Sequence, residues 1–124
     1  MLHSNRLLDA VKVGDVVFGV AGGGQKKILL VIEADAEGFV ARHVTSQALV
    51  AFGRDGRSRQ APNGGSCVIT STARLPRDAY ETAVGLDRKM QQARQHPDFV
   101  LSRAEVQLIL HAEEFFEAHP LPDR

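Results

Sequence analysis

Val13-Gly14-Asp15-Val16-Val17-Phe18 opens the stretch that decides the fold, and it continues as Ile28-Leu29-Leu30-Val31-Ile32, Phe39-Val40-Ala41-Arg42-His43-Val44 and Ala48-Leu49-Val50-Ala51-Phe52. Each run is short, apolar or alternating, and ends at a turn signal, which is the pattern of strands rather than helices. Gly14-Asp15 precedes the first strand, Val16 to Val20, and Gly22-Gly23-Gly24 ends it, because glycine loses the most backbone entropy in regular structure. The second strand, about Lys27 to Ala34, is nearly all apolar in its middle and so is expected either to be buried on both faces or to lie centrally in a curled sheet. Asp35-Ala36-Glu37-Gly38 turns it into a hairpin with Phe39 to Val44. There Val40, Arg42 and Val44 face one way, and Phe39, Ala41 and His43 the other.

Beyond Phe52 the Asp55-Gly56 pair makes a further turn, and Arg57 to Gln60 reads as a short fifth strand. Ala61 to Ser66 is a loop, and the β-branched run Cys67 to Ala73 is a sixth strand. Upstream, Leu7, Leu8 and Val11 form a short helical or irregular lead-in. Five or six turn-linked strands over residues 13–73 predict a small antiparallel barrel or curled sheet.

Everything after Leu75 is helical in pattern. Pro76 suits a first helical position, and Ala79, Ala83, Leu86, Met90 and Ala93 share one stripe until His96-Pro97 stops the helix. Ser102-Arg103-Ala104-Glu105 is a capping box flanked by Leu101 and Val106, and Leu108, Ile109, Ala112, Phe115 and Phe116 form the next apolar stripe. Pro120 and Pro122 close it. The expected architecture is one α+β domain over residues 1–124, with a helical hairpin at 76–119 packed on the sheet.

The composition, 44% apolar and 24% charged over 124 residues, is that of a globular chain able to bury its own core. No apolar run exceeds five residues, where a membrane helix needs about 20, so membrane partners are not expected. A single cysteine, Cys67, and no secretory signal at the start suit a reducing, cytoplasmic setting. The 15 basic and 15 acidic residues balance overall but not locally: residues 1–77 carry ten Lys/Arg against six Asp/Glu, and residues 78–124 five against nine.

No grouping names a reaction or a cofactor. Gly19 to Lys27 resembles a phosphate-binding loop, but Gln25 stands where lysine should and a strand, not a helix, follows. His111 and Glu114 lie one turn apart without the further ligands zinc requires, and His119 suits a helix end. An enzyme would have to use Cys67 or His43, which nothing local activates.

The charged groups say more. Arg54, Arg57 and Arg59 surround the Asp55-Gly56 turn, and Arg42, Lys26 and Lys27 fall near the same expected rim, where guanidinium groups would meet carboxylates or phosphates. Glu113, Glu114 and Glu117 oppose the dipole of the last helix, so either the arginines of the strand half pair with them inside the molecule or they form an acidic surface for a partner.

Val13-Gly14-Asp15-Val16-Val17 and the hairpins after it resemble the opening of SH3-like small barrels, including KOW- and Tudor-type modules. The resemblance covers residues 13–73, is one of topology, and carries over no binding residue. The sequence therefore points to a non-catalytic module that recognises a macromolecular partner, a protein first, in the manner of an inhibitor, immunity or adaptor protein. Its expected contacts are Arg42, Arg54, Arg57 and Arg59 or Glu113, Glu114 and Glu117. Nucleic acid on the Arg54–Arg59 rim is the alternative, with few aromatics to stack bases, and a second copy of the chain is a further candidate partner.

Overall fold

The structure is a computed structural model and describes residues 6–59, 66–93 and 101–122. A four-residue helix, α1 (Arg6–Asp9), leads into β1 (Val16–Ala21), and a tight turn at Gly22–Gly24 returns the chain as β2 (Gln25–Ala34). β3 (Gly38–His43), β4 (Leu49–Gly53) and β5 (Cys67–Ser71) follow, then α2 (Arg77–Ala93) and α3 (Arg103–Ala118). The strands form one antiparallel sheet in the order β4-β3-β2-β1-β5, so the fold is α+β, a curled five-stranded sheet followed by two helices. The expected end of α2 at His96-Pro97, and Gln60 to Gly65, lie outside the described residues.

The expected strand at Arg57 to Gln60 is reduced to single bridges. Gly56, at φ 81°, turns the chain sharply, and the next residues divide their hydrogen bonds between two strands. Gly53 N–H donates to Arg57 O and Arg59 N–H to Ala51 O on the β4 side, whereas Ser58 N–H donates to Cys67 O on the β5 side. These residues close the curl rather than add to the sheet.

Two apolar layers result. Val17, Leu29, Val31, Phe39, Ala41, Phe52, Cys67 and Ile69 fill the inside of the curl, and Leu8 and Val11 plug one end. Val16, Phe18, Ile28 and Val44 point outward against Leu75, Ala83, Leu86, Ala112 and Phe116 of the helical half. β1 and β2 therefore bury both faces, which is why their sequences do not alternate with polar residues. Gly19 admits the close approach of β5: a β-carbon there would stand 2.9 Å from Cys67 Sγ.

The helices are fixed at both ends. Ser102 and Glu105 form the capping box, and Lys89 Nζ meets Glu105 at 3.0 Å, joining the late turns of α2 to the start of α3. At the other end Ser71 Oγ donates to His119 O, and Leu121 N–H donates to Thr70 O along the outer edge of β5. Among the described residues, no helix is long and apolar enough to cross a membrane.

Candidate binding surface

The arginines expected to share a rim are divided between faces. Arg42 follows Ala41, which faces the inside of the curl, so Arg42 faces the helices. Its Nε donates to Asp87 Oδ1 at 2.9 Å and its Nη2 to Asp87 Oδ2 at 2.8 Å, across the boundary between β3 and α2. Arg54 lies elsewhere, over the Phe39 ring at 5.6 Å, donating to the carbonyls of Asp35, Leu8 and Val11. Arg59 Nη2 donates to Glu37 O. Arg57 is exposed beside the turn, where its backbone N–H donates to Asp55 Oδ1.

Arg54 thus holds α1 in place. Arg54→Ala is expected to release Leu8 to Val11, raising hydrogen exchange at the Val11 amide about tenfold, the order of one charge-assisted hydrogen bond. The central amides of β2 should keep their protection. Arg54→Lys should rescue little, because an ammonium lacks the fork that reaches Leu8 O, Val11 O and Asp35 O together.

The acidic end of α3 is offset by a lysine rather than an arginine. Lys26, near the start of β2, meets Glu117 at 3.1 Å, which places a cation near the negative end of the helix. Glu113 is half-buried, and burial raises its pKa against the opposing pull of Lys26. Glu114 is exposed, and His119 accepts the expected helix-end role, its Nδ1 2.8 Å from Phe115 O.

Cys67 and His43 are not brought together. Cys67 is buried on β5, and burial pushes its thiol pKa up. His43 is on β3, with β2 and β1 between them in the sheet order. Its ring nitrogens lie 2.7 Å from Ser46 Oγ and 3.1 Å from Thr45 Oγ1.

Burial, reinforced by Lys27, pushes the His43 pKa down to about 4. The folded state therefore binds this proton less readily than the unfolded chain, whose histidine titrates near 6.5. The stability contribution is fully present above pH 6.5 and lost as pH falls through about 4. His43→Asn should flatten the fall in urea midpoint across that window; an unchanged slope would show that His43 is not its source.

One hollow among the described residues is not indicated by the sequence. A groove of about 580 Å³ lies where the α1–β1 connection faces the β5–α2 connection, with Leu7, Ala10, Val11, Ala73, Leu75 and Tyr80 among its lining. Leu7 is 48% exposed at this wall, and neighbouring Val13 is 58% exposed. The charged residues on the lining are Lys12, Arg74 and Arg77 against Asp15, three cations to one anion.

These groups have distinct local roles. Asp15 Oδ2 accepts the Lys12 backbone N–H, and Tyr80 Oη donates to Gly14 O, pinning α2 to the turn before β1. Arg77 pairs with Glu81 in the open, a contact worth little. Gly14, at φ 95°, gives that turn its shape and sends its N–H to Val31 O. Each wall is an irregular segment between regular elements, so no periodic pattern marks it. The signal available in sequence was basic residues in two such connections, Lys12 and Arg74.

Compared with models of known protein families, with curated proteins and with solved structures, the chain gives no match.

Proposed function

We propose that the chain is a non-catalytic recognition module for a protein partner, built on an SH3-like curled sheet. The strand order, a meander of β1 to β4 with β5 returned beside β1, supports that likeness. The observation that carries the functional reading is the groove beside α1: it is open, largely apolar and rimmed by cations, with exposed Leu7 and Val13 at its side. Its tyrosine and aspartate are engaged in holding the backbone that forms it. The arginines of the Asp55-Gly56 turn favour a nucleic-acid strand less, because Arg54 and Arg59 already donate to backbone carbonyls.

The test is capture of partners from the native host lysate on immobilised protein, with nuclease treatment, followed by calorimetric titration of the purified candidate. One protein retained after nuclease and binding stoichiometrically is the expected result. Retention of nucleic acid alone, or of no macromolecule, would overturn the proposal.

A further inference from the structure

We infer that the groove takes a short acidic segment of the partner, an apolar side chain on its floor and carboxylates on the Lys12 and Arg74 rim; the inference rests on the protein-recognition reading above. Charge complementarity selects this occupant. Of the ten Lys and Arg of residues 1–77, five are matched within the molecule: Arg42 by Asp87, Lys26 by Glu117, Arg77 by Glu81, and Arg54 and Arg59 by carbonyls. Lys12 and Arg74 are two of the other five: among the described residues neither side chain makes a hydrogen bond or ion pair, and both are exposed on the one groove wall, which Arg6, Lys27 and Arg57 do not line.

The apolar part has its counterpart in Val11 and Leu75, which line the hollow while belonging to the inner and outer apolar layers respectively. The floor is thus packed into both apolar layers, whereas the rim charges are carried on long, exposed side chains. A volume of about 580 Å³ accommodates one or two large side chains, the scale of a linear segment and not of a domain face. Exposed charges of one sign around such a site set partner choice and association rate more than affinity.

The experiment uses the whole chain, isotope-labelled, and three acetylated and amidated hexapeptides: Asp-Glu-Leu-Phe-Asp-Glu, its counterpart with lysine at each acidic position, and its counterpart with serine there. The acidic peptide is expected to shift the amides of Gly14, Ala73 and Tyr80 and to bind more weakly as salt is raised. Lys12→Glu with Arg74→Glu should weaken it about tenfold, since both side chains are solvent-exposed. Ala10→Trp, at an exposed position on the lining, should block it without disturbing the core.

Equal binding of the three peptides would overturn the inference, as would shifts confined to the exposed Val106 and Leu110 face of α3. Displacement of the acidic peptide by a single-stranded oligonucleotide would also overturn it. A captured partner whose affinity ignores all three substitutions would remove the groove from the account while leaving protein recognition standing.

Discussion

Asp87→Ala is expected to cost about 2–3 kcal/mol of folding stability, read as a drop in urea midpoint by circular dichroism, because it takes from the part-buried Arg42 cation and the buried Gln47 amide the acceptor they share. Asp87 is 3% exposed on α2 and gathers three donors: Arg42 Nε and Nη2 from β3, and Gln47 Nε2 at 3.0 Å from the turn after it. Gln47 sits at φ 67°, is buried, and also donates to Val44 O, so it cannot turn to water without breaking the turn. With its amide oxygen turned toward the guanidinium, Gln91 accepts from both Arg42 Nη atoms at 3.0 Å, while the buried Gln47 Oε1 is left without a hydrogen-bond partner among the described residues.

Removing the carboxylate leaves the Arg42 charge between sheet and helix with one neutral partner. Asp87→Asn should cost less, because an amide oxygen still accepts one of the three donors. Replacing both partners, Arg42→Met with Asp87→Leu, should recover most of the loss, since a buried ion pair contributes little net stability over apolar residues of similar volume. A single Asp87→Ala variant within about 0.5 kcal/mol of the parent would mean that the network does not hold α2 to β3.

That network also shows how far the sequence could be read. Alternation placed Arg42 on the face of Val40 and Val44, which was correct, but alternation does not say which face receives the helices. Once Ala41 lies inside the curl, Arg42 must meet α2, and a residue near the Arg54 turn in expectation becomes its distant neighbour. Asp87 was legible in part: it stands one turn beyond Ala83, a carboxylate on an otherwise apolar stripe. Ile28 to Ile32 announced burial on both faces because nothing polar interrupts it, and Ser102 with Glu105 fixed the start of α3 because a capping box is local.

The strand expected at Arg57 failed for the opposite reason. Its turn was read correctly from Asp55-Gly56, but the division of Gly53, Ser58 and Arg59 hydrogen bonds between β4 and β5 depends on partners far along the chain. The groove depends on them too: Lys12 and Arg74 are 62 residues apart and meet one hollow only because β5 returns beside β1.

Phe116→Ala should cost about 3–5 kcal/mol, the upper range for a large core truncation. Phe116 is 0% exposed and stacks on Phe18 of β1 at 5.4 Å, nearly parallel, with Phe115 edge-on at 6.0 Å. The loss includes the stacking on Phe18 as well as the buried area. The consequence reaches beyond α3, because Phe18, Val16 and Ile28 would face water if the helices lifted. Leu75, which places the 72–77 wall of the groove, belongs to the same layer and would lose its support. Sheet and helices should therefore melt together, with loss of hydrogen-exchange protection at the central β2 amides and loss of the helical far-UV signal tracing one transition in both parent and variant. Separate transitions, with the sheet persisting after helical signal is lost, would show that the inner layer suffices alone and that α2 and α3 are carried rather than required.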